Sequence, residues 1–303
     1  MRWSARPCFS LVTLALVVTA CTADKNAVSS PASTVPFTPP PAAIPVAEPE
    51  PVAAATPQEP AIAPVVEPEP ETPAAPAAPR KVLILGDSLA ATGFGVLLEK
   101  KLDAHPDIEC WRKAKSATGL ARPDFYDWEA EARKQVEARK PDLVVVILGG
   151  NDGQDLTPKS GKGKRVTWKS DGWNDAYKTR VADFLKEIGA AERKVLWLGL
   201  PKSELNGFEG KLSIIRQVQS EAVADLGATG TYLETTPFLS DAKGELLATA
   251  TVGKRKDQDL REDDGIHFTM AGSQFFADKV YPEVLRVLEL ADLEPESAAR
   301  PKK

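Results

Sequence analysis

A three-layer α/β/α sandwich around a central parallel sheet is the fold that the sequence predicts from Arg80 onward, and three observations lead to it. Short apolar runs at Lys81 to Leu85, Leu143 to Leu148 and Val195 to Leu200 stop at Gly86, Gly149 and Pro201. Unbroken runs of this length suit strands covered on both faces. Helical patterns alternate with them, at Val96 to Ala104, Trp128 to Arg139, Ala176 to Ala191 and Leu212 to Leu226. Finally, a second strand near Ile108 to Arg112, a strand-like Thr231 to Leu233 and a last helix from about Thr269 complete the order βαβαβαβαβα. Such an order winds helices onto both faces of one sheet.

The rest of the chain is of another kind. Of the 303 residues, Pro31 to Pro79 are mostly Pro, Ala, Val and Glu, with no Lys or Arg. A stretch of that composition cannot bury enough apolar surface to fold. Residues 22–79 therefore read as a disordered Pro/Ala/Glu-rich linker, 80–293 as the folded domain and 294–303 as a disordered tail. Polyproline II chain rises roughly 3.1 Å per residue, so the Pro-rich stretch reaches on the order of 150 Å. It serves either as a tether or as a spacer of no set length. Three basic and seven acidic residues lie upstream of Arg80, which leaves the domain 35 basic and 36 acidic side chains. A near-neutral domain argues against nucleic acid as its partner.

Residues 1–21 read as an export signal. Arg2 and Arg6 precede the apolar run Phe9 to Val18, which is too short to span a bilayer with margin. The run ends in Val18-Thr19-Ala20-Cys21. These residues resemble a bacterial lipobox, which implies a lipidated Cys21 and, with Thr22 following, an outer-membrane anchor facing the periplasm. The alternative is an ordinary cleaved signal. Cys8 leaves with that signal, so Cys110 alone remains in the domain; no disulfide framework and no Cys/His metal spacing is expected, and no cofactor. Cys110, between Glu109 and Trp111 in the second strand, is expected to be buried.

In doubly wound sheets, chemistry collects at the carboxyl ends of strands. Gly86-Asp87-Ser88-Leu89 follows the first strand, Ser116-Ala117-Thr118-Gly119 the second, and Gly149-Gly150-Asn151-Asp152 the third; Asp264-Gly265-Ile266-His267 precedes the last helix. A serine nucleophile needs a general base, usually a histidine held by a carboxylate. Only His105 and His267 are available. His105, in His105-Pro106-Asp107, reads as a solvated helix cap; His267 has Asp264 on its own loop. A tetrahedral oxyanion also needs preorganised donors. The backbone amides of Ser88 and Gly119 and the side-chain amide of Asn151 could supply them. Asp87 reads as a hydrogen-bonder within its turn.

Together the four clusters resemble the SGNH hydrolase superfamily, or GDSL esterases, over Lys81 to about Leu290. That resemblance implies a flavodoxin-like SGNH hydrolase fold, Ser88 as nucleophile, His267 as base and acid, Asp264 as its orienter, and an oxyanion hole of Ser88, Gly119 and Asn151. The stretch Gly119 to Trp128 looks like a signature of a bacterial envelope subgroup of unknown function. Arg122 and Asp124 within it either border the site or form a turn. Asp152, Arg122 and Trp168 are taken as candidate substrate contacts.

Two segments exceed a minimal sandwich. Asp155 to Gly172 carries Lys159, Lys162, Lys164, Arg165, Trp168 and Lys169, and either faces an acidic or sugar ligand or is a solvated loop anchored by Trp168 or Trp173. Ser240 to Asp263 is expected to wall the site from the opposite side. The expectation is an exported, lipid-anchored serine esterase acting on O-acyl esters, O-acetyl above all, of a cell-envelope glycan. An O-acetyltransferase is the alternative within enzymes, and a non-catalytic glycan-binding module is the alternative outside them. Partners are an acylated glycan or small ester and the membrane.

Overall fold

A computed structural model of the protein describes residues 78–291. The signal and lipobox, the linker up to residue 77 and the C-terminal tail lie outside the described residues. Five parallel strands form the sheet: β1 (Arg80–Gly86), β2 (Ile108–Ala114), β3 (Leu143–Ile147), β4 (Lys194–Leu198) and β5 (Gly230–Leu233). Their spatial order is β2-β1-β3-β4-β5. In β1 and β3 the apolar runs have no exposed side chains because helices cover both faces: Val82 to Leu85 and Leu143 to Ile147 are all at 0% exposure. Burying each such side chain contributes roughly 1.5–3 kcal/mol. The strands at the two edges are only partly covered, and β5 is half-buried throughout.

The helices divide between the faces. α2 (Gly93–Asp103) packs on α6 (Met270–Leu288), while α3 (Trp128–Arg139), α4 (Trp173–Ile188) and α5 (Asn206–Ala224) pack side by side. A one-turn helix, α1 (Ser88–Ala91), leads from β1 into α2. α3 shows why its span is legible: Asp127 caps it by accepting from the Ala130 N–H, Trp128, Ala132 and Val136 form one buried stripe, and Lys140 ends it with a left-handed backbone. α4 begins at Trp173, three residues before its apolar periodicity, because Gly172 at φ +82° turns the chain into the helix.

Two elements depart from the sequence expectation. His105 is no solvated cap. It is 3% exposed; Nδ1 accepts from the Asp107 N–H, and Nε2 lies 3.2 Å from the carbonyl of Ala291 just beyond α6. A histidine that can satisfy both ring nitrogens locally is cheap to bury. The segment Ser240 to Asp263 folds as an antiparallel ribbon of β6 (Thr249–Val252) and β7 (Arg255–Asp259) beside α6. Its approach to α6 is close enough that a Cβ on Gly272 would sit 1.9 Å from the Leu260 carbonyl oxygen. It does not wall the cavity at Ser88 described below, whose lining includes none of its residues. Cys110 is buried, and that burial pushes its thiol pKa up, with Glu99 and Asp103 adding to the effect.

Candidate active site

Ser88 opens α1 at the carboxyl end of β1, directly after Asp87. The Asp87 side chain accepts from the Leu89 N–H at 3.2 Å, which holds the turn, and from the N–H groups of Gly149 and Gly150 at 3.0 and 2.9 Å, which ties the β1 and β3 ends together. Asp87 is fully buried, and its pKa is pushed up to about 6: burial dominates, the nearby Asp152 adds to it, and the three N–H donors pull it back. A raised carboxyl pKa favours the folded state below the unfolded value and loses that contribution as the pH climbs through about 6. Asp87→Asn places an amide N–H against backbone donors and is expected to cost about 1–3 kcal/mol. That deficit should be largest near pH 4 and shrink towards pH 6, which melting curves of both proteins across this range will show.

His267 arrives from the loop before α6. Gly265, at φ +64°, permits the turn in which the Asp264 Oδ1 accepts the Ile266 and His267 N–H groups, each at 2.9 Å. The other oxygen, Oδ2, lies 2.6 Å from His267 Nδ1, and His267 Nε2 lies 2.9 Å from Ser88 Oγ. This network assigns the proton to Nδ1 and leaves Nε2 to accept from the serine hydroxyl. Burial acts to raise the Asp264 pKa, but the imidazole and the two N–H donors outweigh it and bring the carboxyl down to about 2. The carboxylate therefore stays ionised at any pH at which the imidazole can act as a base.

Arg261, a residue that the sequence does not single out, holds this loop from beneath. Its guanidinium donates to the carbonyls of Ile266 and Lys202 at 2.5 and 2.8 Å and lies 4.1 Å from the ring centre of Phe268. Burial lowers its pKa to about 10, which keeps it charged. No motif marks it, since both partners are carbonyls, which carry no residue type, and Lys202 is brought within reach only by the fold.

Ser88, Asn151 and His267 line one cavity of about 120 Å³, with Leu200, Pro201, Phe208, Leu212 and Ile266 as its apolar wall. Leu200 and Pro201 follow β4, so their presence follows from the strand-end rule; Phe208 and Leu212 come from α5 and carry no sequence signal. Asn151 donates through Nδ2 to the Thr118 carbonyl at 3.0 Å, which leaves its second amide hydrogen for the cavity. Among the described residues, the backbone N–H groups of Ser88 and Gly119 have no protein acceptor. Gly119 is buried next to Thr118 and does not itself line the cavity; a Cβ there would lie 2.0 Å from Asp152 Oδ1.

The three expected substrate contacts are placed outside this cavity. Asp152 has 0% exposure and accepts from the Leu120 and Ala121 N–H groups and the Tyr177 hydroxyl at 2.9, 2.8 and 2.7 Å. With no exposed atom it cannot touch a substrate, and it instead braces the Gly119 loop against the Asn151 loop. Arg122 pairs bidentately with Asp124 at 2.9 and 3.0 Å, and Asp124 also accepts from the Thr157 hydroxyl. Trp168 packs edge to face on Trp173 with ring centres 4.4 Å apart. Arg122 and Trp168 share a second hollow with Gly153, Arg165 and Lys211.

Comparison with solved structures places the architecture among known ones. LAE5, an alpha/beta hydrolase enzyme from the metagenome of Lake Arreo, Spain, aligns at 15% identity with a TM-score of 0.50, over 72% of this chain and 98% of that one. The acetylxylan esterase Axe2 of Geobacillus stearothermophilus aligns at 16% identity and a TM-score of 0.49, over 72% and 98% of the two chains. The psychrotrophic esterase EstA of Pseudoalteromonas sp. aligns at 18% identity and 0.47, over 69% and 99%. Comparison with curated proteins finds no match. Residues 81–283, nearly the whole described domain, match the family described as "Protein of unknown function (DUF459)", and the chain belongs to that family.

Proposed function

We propose that this protein is a serine esterase of the SGNH type, exported and anchored by lipid at Cys21, that removes short O-acyl groups from a cell-envelope glycan. The single observation that carries the chemistry is the continuous hydrogen-bonded line from Asp264 through His267 to Ser88, at 2.6 and 2.9 Å, ending in a cavity. Ser88 Oγ attacks the ester carbonyl carbon while His267 Nε2 takes its proton. The carbonyl oxygen becomes an oxyanion that the Ser88 and Gly119 N–H groups and the free Asn151 amide hydrogen stabilise. Collapse of the intermediate breaks the ester C–O bond, and His267 returns the proton to the departing sugar hydroxyl. Water, deprotonated by His267, then releases the acid from acyl-Ser88.

Cavity size supports a short acyl group. Pockets for drug-sized ligands run from about 300 Å³ upward, and this one holds about 120 Å³ behind an apolar wall. The Pro-rich segment supports a polymeric substrate, since a tethered domain reaches immobile polymers better than it pursues small molecules. Turnover of p-nitrophenyl acetate and acetate release from an acetylated glycan test the esterase reading. Transfer of the acetyl group to added sugar would instead identify an acyltransferase, and neither product would identify a binding module. Membrane partitioning that Cys21→Ser abolishes tests the anchor.

Asn151→Ala removes a donor aimed at charge that exists only in the transition state. It is expected to lower kcat by roughly 10²–10³ with little change in KM. Steady-state kinetics on p-nitrophenyl acetate separates the two parameters, and a change confined to KM would make Asn151 a substrate-binding residue.

A further inference from the structure

The second hollow, of about 380 Å³, shares a wall with the catalytic cavity. Asn151 lines the cavity and Gly153 the hollow, and on α5 the adjacent Leu212 and Lys211 divide in the same way. Lys211 lies flat along Gly153, where a Cβ would come 2.8 Å from the Cβ and Cδ of the lysine. A group bound in the hollow is therefore held beside the cavity that contains Ser88.

Charge in the hollow is unbalanced. Arg122 is already neutralised by Asp124, whereas the exposed side chains of Arg165 and Lys211 have no hydrogen-bonding or ionic partner among the described residues. Asp155 is the one carboxylate in the lining, and its Oδ1 is taken by the Trp168 N–H at 2.8 Å. The walls are fixed before any ligand arrives. Leu156 and Val166 exchange backbone hydrogen bonds at 2.9 and 3.1 Å, which closes the loop that carries Arg165. Trp168 leans on Trp173, which stacks on Tyr177 with centres 4.9 Å apart and donates from Nε1 to the Gln154 carbonyl. Two unpaired cations beside a rigid aromatic wall form a setting for an anionic sugar.

We infer that Arg165 and Lys211 form an anion subsite, and that the esterase proposed above acts on a glycan bearing negative charge on, or next to, the acylated residue. The inference rests on that esterase reading for its catalytic consequence but not for binding itself. The test compares acetylated polyuronate, acetylated phosphodiester-linked polyol and acetylated neutral xylan with the full-length protein at low and physiological salt. At low salt, kcat/KM should favour one or both acidic polymers over the neutral one by about tenfold, the worth of one charge-assisted contact, and the favoured polymer identifies the anion. Salt should erode the preference.

Arg165→Ala with Lys211→Ala should abolish it through KM, while kcat on p-nitrophenyl acetate stays unchanged; charge reversal at both positions should disfavour acidic polymers outright. Binding of deacetylated polymer to Ser88→Ala protein provides a readout free of turnover. Equal kcat/KM for acidic and neutral polymers in the wild type, or a preference that survives the double substitution, overturns the subsite. Absence of all ester turnover, with polyanion binding that still depends on Arg165 and Lys211, overturns the esterase and leaves the subsite standing.

Discussion

Ser88→Ala and His267→Ala are each expected to lower kcat by roughly 10⁴–10⁶-fold, and the double variant by little more. In the proposed mechanism the two groups act on one proton: without the imidazole the hydroxyl keeps it, and without the hydroxyl the imidazole has nothing to take. Their losses therefore do not add. The 2.9 Å contact between Ser88 Oγ and His267 Nε2 makes the expectation specific to this histidine. His105 lies buried at the far end of α6 and serves as its contrast: His105→Ala should cost stability with kcat preserved, because it orphans the Asp107 N–H. Labelling by a fluorophosphonate provides an independent measure. Wild type should be modified at Ser88, and neither triad variant should be. Full labelling and turnover in His267→Ala would refute the activation scheme even if Ser88 proved essential.

Asp264→Asn is expected to lower kcat by up to about 10⁴-fold with the fold intact. The substitution keeps the shape of the side chain, and its carbonyl oxygen can still accept the Ile266 and His267 N–H groups that shape the turn. Its amide nitrogen then faces Nδ1 at the position where Asp264 Oδ2 stands 2.6 Å away, donor against donor. The imidazole escapes that clash by carrying its proton on Nε2, where it cannot accept from Ser88. Imidazolium formed during the reaction also loses its counter-charge. Because the Asp264 carboxyl is held at about 2, the wild-type pH–rate profile should show no limb from its protonation above pH 4. Steady-state kinetics across pH 4–9 tests both statements, and an equal fall in kcat and kcat/KM separates lost catalysis from lost binding.

How far the site was legible in the sequence depends on how local its geometry is. Asp264, Gly265 and His267 fall within one turn, so their residue types and spacing suffice to define the hydrogen bonds between them. Ser88 and Asn151 each follow an apolar run that suits a covered parallel strand, and parallel strands deliver their carboxyl ends to the same edge of the sheet. That reasoning also named Asp152, Arg122 and Trp168 as substrate contacts, but Asp152 is buried, and Arg122 and Trp168 line the second hollow rather than the cavity at Ser88. Proximity in sequence to a site residue does not state which way a side chain faces. Asp152 turns inward to collect three donors, and Arg122 spends its guanidinium on Asp124.

Hydrophobic periodicity, strand–helix alternation and four polar clusters at strand ends thus determined the architecture and which polar residues meet at its edge, because each is written in separations of a few residues or in the obligatory alternation of a doubly wound sheet. Tertiary structure alone decided what surrounds them. The inward course of α5 brings Phe208 and Leu212 to the cavity, a half-buried Arg261 reaches carbonyls from two separate loops, and the Ser240 to Asp263 segment settles beside α6 rather than at the site. Apart from Arg261 with Ile266, five residues on, those contacts join distant positions through packing and backbone hydrogen bonds, which depend on shape and place more than on residue type, so no local pattern in the chain encodes them.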